Sequence, residues 1–291
     1  MRRNLIIDSN NLLHRVHWVC SKYDNISIPK MFFQCMRSYI REHYITPGDV
    51  YMAWDDKLIR GSTNHRKSDD SVEYKATRDT ERNKKVYDLY KHLHRMCKHI
   101  GFTNMHPGVL EADDVVAFLS KNLPGHNVIV SVDQDMLQLI TSTTDVYNPV
   151  RKHMVTVENF EQHQPVPIEL FVPYKAAMGD KSDNIMGLAK VGTKRAAQIV
   201  RTGVDKLSSE DQEIVNRNIR LMDLNYSLSA YPGEVKLYEK QLEYHDTEKT
   251  QDVDLFMNEC NKIGCNDMNE QFVTSVCEYQ SPPVTVSSVL S

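Results

Sequence analysis

Hydrophobic residues in the first half of the chain fall into short unbroken runs, and each run ends in acid. Asn4-Leu5-Ile6-Ile7 is followed by Asp8, and Val50-Tyr51-Met52-Ala53-Trp54 by Asp55-Asp56. Val128-Ile129-Val130-Ser131-Val132 is followed by Asp133-Gln134-Asp135. Such runs, bounded by turn residues, are the pattern of strands buried on both faces in a parallel sheet. Between them the spacing changes to the helical period. Ser9 or Asn10 can cap a helix carrying Leu12, Leu13, Val16 and Val19. Pro29 starts a second, striped by Phe32, Phe33, Cys35, Met36, Tyr39 and Ile40, before Pro47-Gly48 turns the chain. From Lys84 a third carries Val86, Leu89, Tyr90, Leu93, Met96, Cys97 and Ile100 until Gly101 stops it. His92, His94 and His99 on that helix read as solvated. A fourth runs through Val115 to Leu119 and gives way to a turn at Pro124-Gly125. Asp145-Val146-Tyr147 reads as a further strand, and His153 to Val157 as its hairpin partner or an edge strand.

This alternation predicts an α/β fold, with a central, mostly parallel twisted sheet flanked by helices. Pro165-Val166-Pro167 breaks the pattern, so the α/β core is placed at 1–164 and a helical region at 165–280. Ile168 to Met178 reads as a helix. Beyond Asp205 the chain is more acidic and mostly helical, with Ile214, Ile219, Leu221, Met222 and Leu224 as packing residues. Residues 281–291 lie in an uncharged stretch rich in Pro, Ser and Val, expected to be a loosely attached tail.

Composition changes this picture little. The 291 residues, 41% of them hydrophobic, suffice for a sizeable core in one large or two small domains. Charge changes it more. The net charge of −4 argues against a nucleic-acid partner, but the distribution reverses the argument. Arg60 to Lys98 holds eleven Lys and Arg against six Asp and Glu, and Asn184 to Val204 holds four basic residues and no acid. Basic regions flanking an acidic pocket suit a polyanion bound around metal. The six cysteines have no Cys-x-x-Cys spacing and read as reduced structural thiols. Leu5-Ile6-Ile7 is too short for a signal peptide and no membrane span is visible, so a cytoplasmic protein is expected.

The candidate chemistry lies in the acids. Asp8, Asp55, Asp133 and Asp135 close strands, Glu111, Asp113 and Asp114 open a helix, and Asp180 and Asp183 precede a glycine-framed hairpin. Open α/β sheets place their sites at the carboxyl ends of strands. Crowded carboxylates raise one another's pKa unless a cation sits among them. Hard divalent ions with oxygen ligands fit this inventory, and two of them can hydrolyse a phosphodiester. Local alternatives stand beside this reading. Asp8 could be a helix cap. The polar stretch 58–82, with Arg60, Arg66, Lys67, Lys75, Arg78 and Arg82, could be a solvated loop rather than a clamp on a phosphate backbone, with Tyr74 as a stacking residue. Gly187 through Lys190, Gly192, Thr193, Lys194 and Arg195 could be an ordinary capped turn rather than a phosphate-binding hairpin.

In order and spacing, these motifs resemble the structure-specific 5′-nucleases, a family that includes flap endonucleases, the 5′-nuclease domain of bacterial DNA polymerase I and the exonucleases of tailed phages. The matching stretches are Ile7-Asp8, Trp54-Asp55, Tyr74-Lys75-Ala76-Thr77-Arg78, Leu110-Glu111-Ala112-Asp113-Asp114, Ser131-Val132-Asp133-Gln134-Asp135 and Met178 through Ile185, leading into Gly192-Thr193-Lys194-Arg195. Asn218 to Leu224 adds a weaker echo. The resemblance covers about residues 4 to 225, and the free-standing chain is most similar to the bacteriophage members.

The resemblance implies a PIN-like nuclease fold, with a helical arch at about 58–85 and a helix–hairpin–helix at about 178–202. It implies that Asp8, Asp55, Glu111 and Asp113, with Asp114 beside them, hold one Mg²⁺, and that Asp133, Asp135, Asp180 and Asp183 build a second site. Mn²⁺ would substitute. Lys75, assisted by Arg78 or Arg82, would contact the scissile phosphate. Tyr74, Arg66 and Lys67 would meet DNA in the arch. Gly187, Lys190, Gly192, Thr193, Lys194 and Arg195 would grip the duplex, with K⁺ at the hairpin. The implied partners are branched or nicked DNA with a free 5′ end, RNA–DNA hybrids, and a replication polymerase or single-strand-binding protein, with the enzyme a monomer. Two departures stand out: the family usually has Gly where this chain has Lys190, and Asp56 directly follows Asp55. Two rival readings are a non-catalytic branched-DNA-binding protein of the same fold and a Mg²⁺-dependent small-molecule phosphatase.

Overall fold

The computed structural model describes residues 2–23, 26–55, 66, 84–247 and 251–278. A six-stranded sheet has the order β3-β2-β1-β4-β5-β6. Its strands are β1 (Arg3–Asp8), β2 (Val50–Ala53), β3 (Thr103–Met105), β4 (His126–Val130), β5 (Thr144–Asn148) and β6 (His153–Val155). All neighbours run parallel except β5 and β6. The first strand is therefore central, with Leu5 opposite Val50 on one side and Val128 on the other. Its Leu5, Ile6 and Ile7 are 0% exposed. Burying each such side chain contributes about 1.5–3 kcal/mol, which explains why an uninterrupted apolar run occupies the middle of the sheet.

Strand periodicity divides the core in two. Leu5, Ile7, Val50, Met52, Val128 and Val130 share one cluster with α1 (Ser9–Cys20), α2 (Ile28–His43) and α3 (Lys84–His99). Ile6, Tyr51, Ala53 and Ile129 share the other with α4 (Ala112–Asn122). Past the short α5 (Phe160–His163), that second face continues into α6 (Phe171–Met178), α7 (Thr193–Thr202), α8 (Ser209–Met222), α9 (Leu224–Ala230) and α10 (Pro232–Thr247). A small antiparallel ribbon, β7 (Gly179–Asp180) with β8 (Ile185–Met186), sits between α6 and α7.

The region expected to be one helical unit from 165 to 280 divides. Its last helices, α11 (Val253–Lys262) and α12 (Glu270–Cys277), pack on α3 and α2 instead, because Phe256, Cys260, Val273 and Val276 complete the first cluster. Buried Glu259 of α11 receives Lys262, His92 and Arg95 at 2.6, 2.8 and 2.9 Å. His92 is therefore engaged rather than solvated. His94 also departs from expectation. It packs against Trp54, its Nε2 lies 2.9 Å from His106 Nε2, and burial, helped by His106, pushes its pKa down to about 3. The strand β3 was not expected because Thr-Asn-Met offers no apolar run. Its Asn104 is nonetheless buried, accepting from Trp54 Nε1 at 2.7 Å and donating to the His94 carbonyl at 3.0 Å. Among the described residues no helix is long and apolar enough to cross a membrane.

Candidate functional site

Because β1, β2 and β4 are parallel, their carboxyl ends share one edge of the sheet. Asp8 ends β1 and caps α1: its Oδ1 accepts from the Asn11 N–H at 3.0 Å, and its Oδ2 from the Ser131 hydroxyl at 3.2 Å. The cap and site readings are thus compatible. Ser131 Oγ also accepts from the Asp133 N–H at 3.1 Å, so one hydroxyl fixes two acids. Asp133 caps the 3₁₀ turn Gln134–Leu139 through the Asp135 N–H at 2.9 Å. Asp55 Oδ1 accepts from the Ala112 N–H at 2.9 Å, pinning the end of β2 to the first turn of α4. Glu111 caps that helix and Asp113 lies in its first turn.

Asp8, Asp55, Glu111, Asp113 and Asp133 line one groove of about 700 Å³, together with Asn10, His14, Arg15 and Trp18 of α1. The groove thus gathers five of the nine expected carboxylates from four separate parts of the sequence. Burial first, then the charges of Asp133 and Asp55, push the Asp8 carboxyl up to about 7. This pKa is raised above its ordinary 3.8, so the stability it contributes is present at low pH and lost as pH rises through about 7. In Asp8→Asn the metal-free protein should lose less stability than wild type between about pH 4 and 7. Equal slopes in urea-midpoint-versus-pH curves would refute the burial account.

Asp135, Asp180 and Asp183 follow on from Asp133, outside the groove's lining. Lys175 of α6, which the sequence reading passed over, reaches between two of them. Its Nζ pairs with Asp135 Oδ1 and lies 3.3 Å from Asp180 Oδ2. Burial lifts the Asp135 carboxyl to about 6, Lys175 opposing and Asp133 adding. Asp180 is held below its ordinary range despite partial burial, by hydrogen bonds from Ser182 and the Lys175 charge. Burial alone would lower the Lys175 pKa, but Asp135, Asp180 and Asp133 outweigh it and raise it. The Asp183 N–H meets Asp180 Oδ1 at 3.4 Å. Lys175 carried a signal of its own: it is the one charged residue between Phe171 and Met178.

Two expectations need correction. Asp114 is 0% exposed and faces away from the groove. Its Oδ2 accepts from the Glu111 N–H at 3.0 Å, and both its oxygens take the Arg66 guanidinium at 2.8 and 2.9 Å. Arg66, expected on DNA, is itself 2% exposed and also donates to Glu111 Oε2, the Leu221 carbonyl and Ser227 Oγ. A guanidinium with this many buried acceptors is an internal staple and has no fork left for a phosphate. Lys67, Tyr74, Lys75, Arg78, Arg82 and Asp56 lie outside the described residues, as does the stretch expected to form the arch apart from Arg66 and its last two residues, 84–85, which begin α3.

The stretch from Gly187 to Arg195 joins β8 to α7. Gly187 packs so closely that a Cβ would lie 2.2 Å from the Met178 carbonyl carbon; its place is structural rather than on a ligand. Lys190 stands at φ 59°, the left-handed region a glycine would enter freely. The chain thus keeps the turn with a lysine at a cost of about 1 kcal/mol. Gly192 precedes α7, and Lys190, Gly192, Thr193, Lys194 and Arg195 are all exposed. Buried Asn218 of α8 donates to the Ala176 and Met186 carbonyls at 2.9 and 2.8 Å, tying the hairpin to α6.

The donor set is all oxygen, which fits a hard divalent cation such as Mg²⁺. Among the described residues no three His, Cys, Asp or Glu side chains converge closely enough to hold an ion as placed. Carboxylates sharing a groove repel one another, and two of the acids here are already paired with Lys175.

Comparison with known proteins was made against this geometry. A family model described as 5′-3′ exonuclease, N-terminal resolvase-like domain, matches residues 3–164. A 5′-3′ exonuclease of Mycoplasmopsis pulmonis is 30% identical over 201 residues, taking in 67% of this chain and 65% of that protein, just under two thirds of its length. A flap endonuclease of Escherichia phage T5 is 29% identical over 250 residues, taking in 77% of this chain and 84% of that one. A crystal structure of the phage T5 flap endonuclease as a pseudo-enzyme-product complex with DNA and metal ions superposes with a TM-score of 0.68. At 23% identity it covers 84% of this chain and all of that one, and it is a likeness of fold.

Proposed function

The chain belongs to the 5′-3′ exonuclease family, and on that premise we propose that it is a Mg²⁺-dependent, structure-specific 5′-nuclease. It would cut 5′ flaps and digest DNA, and RNA in hybrids, from 5′ ends or nicks. The observation that carries the reading is the convergence of Asp8, Asp55, Glu111, Asp113 and Asp133 on one groove at the carboxyl edge of the sheet. Asp8, Asp55, Glu111 and Asp113 would hold one divalent ion. Asp133, Asp135, Asp180 and Asp183 would build the second position. Bound there, the ions would supply a nucleophile from water and stabilise the leaving oxygen.

The protein's own part is to place the DNA. Exposed Lys190, Lys194 and Arg195 and the amino end of α7 offer positive charge and N–H donors to a duplex phosphate. Contacts of this kind fix position without reading bases. A potassium ion at this hairpin is part of the proposal. So is the assignment of Lys75, with Arg78 or Arg82, to the scissile phosphate, which rests on the sequence motif. On this reading the scissile bond sits over the acids while the duplex rests on α7.

The test is a 5′-flap duplex incubated with the protein and Mg²⁺. Cleavage close to the junction, leaving a 5′-phosphate and abolished by EDTA, is the expected result. Cleavage untouched by EDTA would overturn it. Flap binding without cleavage would favour the non-catalytic branched-DNA binder. Turnover of a small phosphate ester with no action on the flap would favour the phosphatase. Matched flaps with RNA and DNA 5′ strands would fix the preference between them.

A further inference from the structure

Resting on the reading of Asp133, Asp135, Asp180 and Asp183 as a cation position, we infer that Lys175 is the resident counter-cation of that position, displaced when a divalent ion enters. The Lys175 ammonium occupies the space between Asp135 Oδ1 and Asp180 Oδ2. The three side chains are 14%, 17% and 19% exposed, so water screens them little. Each acid has its other oxygen, or its backbone, fixed independently. Asp180 Oδ1 accepts from the Ser182 N–H and hydroxyl, at 2.8 and 2.5 Å. The Asp135 N–H is held by Asp133. On Asp180 these bonds leave Oδ2 for a cation, and Asp135 Oδ1 faces it across the Lys175 ammonium.

An ammonium and a divalent ion cannot share those oxygens. Mg²⁺ needs its ligands at about 2.0–2.1 Å in near-octahedral array, and a positive amine at the same lone pairs would repel it. The lysine stem gives the exchange a simple route, since four methylenes let Nζ swing clear while the helix stays in place. The backbone behind it is rigid: Asn218 clamps the Ala176 carbonyl one residue on, and Gly187 closes against Met178. The exchange is thus a side-chain event. While Lys175 is in place the acids stay neutralised and arranged without metal, and the second ion must compete for its seat.

The test needs no DNA. The full-length protein is treated with a lysine-acylating reagent, in EDTA and in Mn²⁺, and Lys175 modification is read by mass spectrometry. Protection in EDTA and modification once Mn²⁺ is bound is the expected result; equal protection in both overturns the inference. In parallel, Mn²⁺ binding to wild type and Lys175→Met is measured by calorimetry. The variant should bind the weaker of two ions roughly tenfold more tightly, the scale on which partners of metal ligands tune affinity. Two ions bound with unchanged affinities would overturn the inference while leaving the two-cation reading intact. No Mn²⁺ binding by wild type would overturn both. The acylation arm uses wild-type protein, so it decides the matter even where the variant fails to fold.

Discussion

Asp133→Ala is expected to slow flap cleavage about a thousand-fold, because one metal ligand serves several kcal/mol of charge stabilisation and each 1.36 kcal/mol is tenfold in rate. Flap binding, measured in Ca²⁺, should survive. Asp133 stands between the two groups of acids: it lines the groove with Asp8 and fixes Asp135 through a backbone hydrogen bond. Losing its carboxylate would therefore weaken both proposed cation positions at once. The residues proposed to grip the duplex, at the amino end of α7, are remote in sequence and stay untouched. Full cleavage activity in the variant would remove Asp133 from the site. Lost flap binding by a folded variant would mean that the acids serve the DNA directly and the metals only incidentally.

Arg66→Ala should cost about 3–5 kcal/mol of folding stability, the range for breaking a buried ion pair from one side. The variant leaves Asp114 wholly buried and without its bidentate partner. It also strips donors from Glu111, the Leu221 carbonyl and Ser227. Arg66→Lys should recover little, since a lysine carries the charge without the planar fork. Urea denaturation measures both, and adding Asp114→Ala to Arg66→Ala should cost much less than the sum of the single losses. A loss below about 1 kcal/mol, the scale of exposed pairs, would return Arg66 to the surface. The dependence of flap binding on salt should not change in Arg66→Lys, because no phosphate contact is removed.

Much of this was legible in the sequence, for a physical reason. A strand buried on both faces must be apolar throughout, so β1, β2 and β4 announce themselves, and the acid after each marks the edge where the chain meets water. Where polarity is paid back inside the protein, the pattern fails. Asn104 in β3 and His94 on α3 look solvated until their partners, Trp54 and His106, are seen. Asp113 and Asp114 could have been separated beforehand. Neighbours on a helix point about 100° apart, so one of two adjacent acids turns from any shared groove. The sequence does not say which, because the deciding partner, Arg66, comes from a basic stretch whose other charges give no hint that one of them is internal. Lys175 was missed for the opposite reason. Attention to a row of acids looks for metal, and a single lysine in an apolar helix passes as a surface residue.

The position of β1 in the middle of the sheet has a consequence for how the molecule is made. During synthesis this strand emerges before either of its neighbours, and it lacks one of them until residues 126–130 have been made. The face carrying Leu5 and Ile7 is closed only when α11 and α12 arrive, from residue 253 on. Pairings between distant stretches are slow to form, and exposed strand edges invite association with other chains. The acid groove, which needs β1, β2 and β4 side by side, thus waits on pairings with segments far along the chain from its first acid. A nascent chain that already carried the groove's acids would hold them on an unfinished sheet until its closing helices had been delivered.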